Sequence, residues 1–284
     1  MKSAPFSYHR PESVAEAASI LAAHEDARVL AGGQSLVPMM NLRIAQPEAL
    51  VDINHIAGLD TLDIEGGELV IGATTRQATL LASEAVAEAL PLLRDAVSHV
   101  GYPATRHRGT VAGSAAHADP AAELPAALLA LEARFTLRGK TEREVAATDF
   151  FVDYFTTAIE RGEILAAVRV PIPSAGSRHA FVELARRYHD FPICAVAVQC
   201  QLEGRTIRAP HIALAGVGPH AVRAAGAEAL LEGETPGDEL FRAAADRVAE
   251  EISPLGDVHG SESYRRKVAR ALVMRALGQA VAFA

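Results

Sequence analysis

Adjacent glycines at 32 and 33, followed by Gln34 and Ser35 and flanked by the apolar residues 29–31 and 36–37, constrain this chain more than any other stretch. The apolar run reads as a short strand, the glycines as a sharp turn, and Ser35 as the opening of a helix. Glycines reach dihedrals closed to other residues and leave room for a close ligand. Ser35 is placed to cap the following segment, and free N–H groups at a helix start favour an anion such as phosphate. Taken alone, a glycine pair is equally the mark of a simple turn. Residues 106–114 (Arg-His-Arg-Gly-Thr-Val-Ala-Gly-Ser) again join two glycines, hydroxyls and a short apolar core. Two such loops are suited to gripping a diphosphate from both sides.

Ala31-Gly32-Gly33-Gln34-Ser35-Leu36 and Thr110-Val111-Ala112-Gly113-Ser114 resemble the two flavin-diphosphate loops of the molybdenum hydroxylase flavoproteins. That family includes the carbon monoxide dehydrogenase medium subunit and the flavin domain of xanthine dehydrogenase. Further pieces match in order: Pro38-Met39-Met40-Asn41-Leu42-Arg43, Val51-Asp52-Ile53-Asn54, Ile71-Gly72-Ala73, residues 117–125 and Gly216-Val217-Gly218-Pro219. The resemblance implies an α+β fold with a two-part FAD-binding domain of the p-cresol methylhydroxylase/vanillyl-alcohol oxidase type. Its subdomains would be residues 1–57 and 58–174, followed at 175–284 by a C-terminal strand-and-helix domain of the carbon monoxide dehydrogenase flavoprotein type.

The same resemblance implies noncovalent FAD held by Leu30, Ala31, Gly32, Gly33, Gln34, Ser35, Leu36, Thr110, Val111, Ala112, Gly113 and Ser114. It adds His117, Asp119 and Glu123, with Leu165 and Phe191 as apolar and aromatic contacts to the isoalloxazine. It implies a cytoplasmic electron-transfer subunit working with a large molybdenum-cofactor subunit and a small [2Fe–2S] subunit, as a heterohexamer, and an external acceptor such as a quinone or NAD. The cofactor then carries the chemistry, and the chain supplies no catalytic side chain of its own. Two alternatives are a self-contained flavin oxidase or reductase of the same fold and a binding module that has lost flavin.

Bulk properties agree with a soluble enzyme subunit. Half the residues are hydrophobic and 22% are charged, as in ordinary globular domains. A formal charge of −8 argues against nucleic acid, which needs a basic footprint. There is no apolar run of the length a membrane helix needs, and residues 1–6 lack the apolar core of a signal peptide. Cys194 and Cys200, six apart in a strand-like run, fall on one face too far apart to bridge, and read as reduced core thiols.

The pattern predicts a helix over 13–24 with Ser13 as cap and Glu16 at the capping-box position. Strands follow at 29–31, 50–53 and 69–71, then a helix over 83–100 broken or bent at Pro91. An apolar helix over 124–131 tolerates Pro125 in its first turn. Strands are expected at 164–170, 180–184, 193–202 and 211–215, and helices near Leu230, over 238–252 and over 263–281.

Rival chemistries find less support. Residues 211–218 look like a strand entering the G-x-G turn of a Rossmann site, yet no apolar strand ending in an acid follows at the required spacing. The eleven histidines show no metal-ligand spacing, and no G-x-S-x-G elbow is present. Asp119 is equally suited to helix-start chemistry, where acids are favoured by the macrodipole, whereas for Glu123 the resemblance favours the cofactor. Arg106 and Arg108 either neutralise a diphosphate or support the loop. Against the family pattern, Ala112 replaces a glycine, Ala104 and His107 replace an amide-bearing pair, and Glu183 stands where relatives carry a lysine near the flavin. The methyl at 112 stands where the backbone approaches phosphate and is accommodated if the dihedrals are ordinary, and an acid at 183 opposes negative charge on the ring.

Overall fold

The computed structural model describes residues 2–282 and builds three main sheets with helices between and around them. The first unit comprises β1 (Ser7–His9), α1 (Val14–Ala23), β2 (Ala27–Leu30), α2 (Leu36–Asn41) and β3 (Ala49–Asp52). Its sheet is parallel, in the order β1-β3-β2, with β3 buried along its whole length. Ser13 caps α1 as expected, its Oγ accepting the Glu16 N–H at 3.2 Å. The Glu16 carboxylate reaches back one residue further than a capping box requires, to the Glu12 N–H at 2.8 Å.

A second unit begins with β4 (Leu62–Glu65) and β5 (Glu68–Gly72), followed by α3 (Gln77–Ala82), α4 (Glu84–Ala89), α5 (Pro91–His99) and α6 (Pro103–Arg106). The expected helix over 83–100 is therefore two. Leu90 leaves helical dihedrals and Pro91 takes the first position of α5, where its missing N–H is harmless. Next come α7 (Val111–His117), α8 (Glu123–Ala130), β6 (Arg134–Arg138), β7 (Glu142–Ala146), α9 (Ala147–Phe150), the hairpin β8 (Phe151–Asp153) and β9 (Thr156–Thr157), and β10 (Ile164–Pro171). Five strands form an antiparallel sheet in the order β4-β5-β10-β6-β7.

The third unit holds β11 (Ser177–Ala185), β12 (Pro192–Glu203), β13 (Thr206–Ala215), β14 (Val222–Arg223), α10 (Ala225–Leu231), α11 (Asp238–Glu251) and α12 (Glu262–Ala282). Its four strands are antiparallel in chain order. Alternation along β12 divides its side chains between two cores. Cys194, Val196, Val198 and Cys200 pack with residues of α11 and α12, while Ala195 and Ala197 join the larger core. Both thiols are free and share one face, as their spacing requires. Every residue of α8 is buried, and this helix lies between α5 and the alanine-bearing face of β12 and β13. A helix apolar on all sides belongs between two layers.

The antiparallel pairing of β13 excludes the Rossmann reading, which needs a parallel βαβ unit. Gly216 turns with φ +78° because the Ile193 carbonyl lies where a Cβ would sit, 2.5 Å away. Arg265 of α12, 6% exposed, fastens this corner. Its NH1 donates to Ile193 O at 2.5 Å and Gly216 O at 2.9 Å, and its NH2 donates to Asp257 Oδ2 at 2.8 Å. Arg265→Met leaves two interior carbonyls without a donor, a loss of about 2–4 kcal/mol. Thermal unfolding should show a midpoint lower by several degrees; an unchanged midpoint would mean that water replaces the guanidinium freely.

Candidate cofactor site

The first glycine loop leaves the end of β2 and enters α2. Gly33 has φ +70°, a conformation that strains any side-chain-bearing residue, and a Cβ there would press on Val37 Cγ2 at 3.1 Å and Leu30 Cδ1 at 3.3 Å. Gln34 folds back, its Nε2 donating to Gly32 O at 3.2 Å. Ser35 does not cap α2 as expected: it has helical dihedrals and its side chain makes no cap bond. Its hydroxyl is thus not committed to the helix.

Thr110 does cap α7, its Oγ1 accepting the Gly113 N–H at 2.9 Å. A Cβ on Gly113 would lie 2.6 Å from that oxygen, so the glycine protects the cap. Ala112 is 2% exposed, and its methyl belongs to the larger core. The methyl of this departure is thus accommodated in the core, away from the loop surface. Arg106 is structural: its NH1 donates to Val100 O at 2.9 Å and Gly101 O at 2.6 Å, closing the end of α5. Arg108 instead lines the open side of the loop.

The two loops touch. A Cβ on Gly32 would collide with the Arg108 carbonyl oxygen and lie 2.8 Å from Gly109 Cα. Around this contact a cleft of about 430 Å³ is lined by Leu30, Gly32, Gly33, Gln34, Asn54 and Arg108, among others. A polar chain fixes its floor. The Tyr8 hydroxyl donates to Asp52 Oδ2 at 2.5 Å, and Asn54 Nδ2 donates to Asp52 Oδ1 at 2.7 Å and to Ala31 O at 2.9 Å. Arg76 then donates from NH2 to Asn54 Oδ1 at 2.7 Å and from NH1 to Arg108 O at 2.5 Å. Burial first, then the charge of Arg108, lowers Arg76 from its ordinary pKa, against the pull of Asp52. Asp52 is held below the usual carboxylate range by the hydrogen bonds from Tyr8 and Asn54, which outweigh its burial.

A second group gathers where α7 ends. Ala118 terminates that helix with φ 50°, a left-handed conformation that strains an alanine and throws the chain sharply toward Asp119. One Asp119 oxygen accepts the Ala121 N–H at 2.9 Å. His117 lies against Phe155, ring centres 5.2 Å apart, and burial lowers its pKa despite Asp119. Glu123 begins α8 and is 4% exposed. Near it, His99 Nδ1 lies 3.0 Å from Glu183 Oε1, so the departure at Glu183 is answered by an imidazole rather than left as a bare acid. Glu183 Oε2 is buried without a partner. Phe191 is not a core aromatic; it stands 63% exposed beside the turn where His189 has φ 64°. Leu165 is 5% exposed and packs into the larger core, which leaves little of its side chain for a ligand.

Residues 4–173 match the model of the FAD binding domain in molybdopterin dehydrogenase, and residues 179–280 that of the CO dehydrogenase flavoprotein C-terminal domain. The chain belongs to the FAD-binding medium subunits of the molybdenum hydroxylase family. The carbon monoxide dehydrogenase medium chain of Hydrogenophaga pseudoflava is 39% identical over 277 residues, 97% of this chain and 96% of that one. The alpha subunit of the 6-hydroxypseudooxynicotine dehydrogenase complex of Paenarthrobacter nicotinovorans is also 39% identical, covering 99% of this chain and 96% of the relative. A solved carbon monoxide dehydrogenase of Hydrogenophaga pseudoflava, lacking the Mo-pyranopterin moiety of its cofactor, superposes with a TM-score of 0.97 at 41% identity, covering 99% of this chain and 98% of that one. FAD is the cofactor of this medium-subunit family, and the chain is an FAD-dependent oxidoreductase subunit of that kind.

Sequence reading missed Arg76 and Gln77, which form the floor beside the second loop. Gln77 N donates to Gly109 O at 2.9 Å, and Arg76 bridges Thr110 in antiparallel register. No motif marks either residue, since a polar pair before a helix is common. Asp52 and Asn54 were visible only as part of a family motif.

The Glu123 group makes this medium subunit sensitive to pH. Burial pushes Glu123 up to about 7, with the charges of Glu183 and Asp119 adding and its own backbone N–H and His99 opposing. The hydrogen bond with Glu183 raises His99 above its ordinary value against the cost of burial. Both groups hold protons more tightly folded than unfolded, so stability falls as pH rises. Glu123 gives that slope between the usual carboxylate value and about 7. His99 contributes in full below roughly 6.5 and loses its share as pH passes its raised value. The melting temperature should therefore decline from about pH 5 to about pH 8, with and without added FAD. Glu123→Gln should flatten the lower half of the decline; an unaltered slope in that variant would contradict the assignment.

Proposed function

We propose that this chain holds FAD noncovalently across its two glycine loops and carries electrons between a molybdenum enzyme's other subunits and an external acceptor. The observation that carries the reading is the contact of Gly32 with Arg108 and Gly109, which joins both loops around one cleft. The residues present fit the group. Gly33 carries no side chain, Arg108 brings a cation to the cleft, and the Ala112 methyl is turned into the core rather than toward the loop surface.

Gly32, Gly33, Gln34, Ser35, Thr110, Val111, Ala112, Gly113 and Ser114 would hold the diphosphate, with the uncapped Ser35 hydroxyl and the Arg108 guanidinium as side-chain donors beside them. Leu30, Ala31 and Leu36 shape the entry from the first loop. His117, Asp119 and Glu123 extend the site along the end of α7; Phe191 offers an exposed aromatic face for the ring, and Leu165 would contribute an apolar contact from the core. Bound FAD supplies the redox chemistry that these side chains lack. The division at 57/58 and 174/175 accompanies this reading, supported by the three separate sheets.

A large molybdenum subunit would oxidise the substrate, and a small [2Fe–2S] subunit would connect it to this chain, as a heterohexamer. Support comes from full-length likeness to proteins described as a medium chain and as a subunit of a dehydrogenase complex. Those two relatives are equally identical to this chain and carry different substrates in their names, so the substrate would be chosen on another chain.

Anaerobic bleaching of the flavin absorbance tests the relay. The FAD-loaded chain alone should not bleach with aldehydes, purines or other N-heterocycles. Coexpressed with genomically adjacent large and small subunits, it should bleach on addition of the complex's substrate. Bleaching of the lone chain at catalytic rates would identify a self-contained oxidase instead, and a chain that takes up no FAD would be a binding module.

A further inference from the structure

We propose that Arg76 is a positioning residue for the cofactor, its guanidinium fixing the separation of the two glycine loops. The inference rests on the FAD reading above and extends it to a residue that no family motif marks. Arg76 stands where three segments meet. Its backbone bridges Thr110, its NH1 donates to the Arg108 carbonyl at 2.5 Å, and its NH2 donates to Asn54 Oδ1 at 2.7 Å. Asn54 in turn donates to Ala31 O at 2.9 Å and Leu30 O at 3.3 Å, the backbone from which the first loop departs. One planar cation thus ties the root of the first loop to the carbonyl of the second. That carbonyl is the same atom that fills the place of a Gly32 side chain. A movement of Arg108 O shifts the surface on which Gly32 rests, and with it the separation of the two loops.

The electrostatics favour the same role. Among the described residues Arg76 makes no ion pair; both of its acceptors are neutral amide oxygens. Asp52, the acid within range, is already occupied by Tyr8 and Asn54. Arg76 and Arg108 therefore repel one another beside the cleft until an anion enters it. Lysine would not substitute, because a point charge on a flexible stem does not span two acceptors as a guanidinium fork does.

The test is FAD titration of the deflavinated full-length chain by fluorescence quenching, in wild type, Arg76→Ala, Arg76→Lys, Asn54→Ala and the Arg76→Ala/Asn54→Ala double variant. Arg76→Ala should raise the Kd on the order of 10- to 100-fold, the size expected for lost hydrogen bonds from a charged donor. Arg76→Lys should recover only a small part of that. The double variant should bind no worse than Arg76→Ala alone, since both substitutions break one chain of contacts. Added guanidinium ion should restore affinity to Arg76→Ala but leave wild type unchanged. Melting of the FAD-free variants should stay close to wild type. Wild-type affinity in Arg76→Ala would overturn the proposal, as would a loss that tracks lowered thermal stability, adds to that of Asn54→Ala and ignores guanidinium. Failure of wild type itself to bind FAD would instead remove the underlying reading.

Discussion

The Gly32 backbone rests directly on the Arg108 carbonyl and Gly109, and the site depends on that contact. A parallel sheet supplies one loop and an antiparallel unit supplies the other. They meet backbone to backbone, with no side chain between them. Any residue larger than glycine at 32 would push the loops apart, because the opposing atoms are main chain and cannot rotate away. The spacing of the cleft is therefore a main-chain property, held by polar groups beneath it rather than chosen by side chains within it.

This is why the site was partly legible in the sequence. Glycines forced by backbone contact, by a positive φ or by a capping side chain leave a compositional mark, and Gly32, Gly33 and Gly113 each carry one of these reasons in the structure. Pro91 likewise announces the start of α5, and the alternation of β12 shows in its cysteines, valines and alanines. Arg76 left no mark, because its role exists only once three distant segments are folded together. The hairpin β6–β7 was also illegible. Its strands carry charges that look like loop residues but pair across the sheet, as Arg134 does with Glu144 at 3.2 Å. Strand β13 begins five residues before the expected position, through Pro210, and a register irregularity opposite Gln199 and Gln201 absorbs the missing N–H. Ser35 looked like a cap and is not one, since its own backbone is already helical.

The C-terminal unit is joined to the rest through α8. That helix has no polar face, and alanines on β12 and β13 let the sheet approach it closely. The polar group at its start, Glu123, is consequently buried at the seam with His99 and Glu183. His179 of β11 and Asp95 of α5 form a second pair across the same seam at 3.4 Å. Acids and histidines thus sit where two apolar layers close on one another. The protons that Glu123 and His99 hold more tightly than usual lie at this seam, beside the residues assigned to the cofactor's far end.

The central claim is that the two loops recognise a diphosphate, and ligand dissection tests it most directly. Apoprotein titrated with FAD and with riboflavin, which has the ring but no phosphate, should bind FAD at least about a hundredfold more tightly, the worth of two charge-assisted hydrogen bonds. ADP, which has the diphosphate and no flavin ring, should compete with FAD. Equal affinity for FAD and riboflavin, with no competition by ADP, would contradict the account and leave the paired glycines as turns.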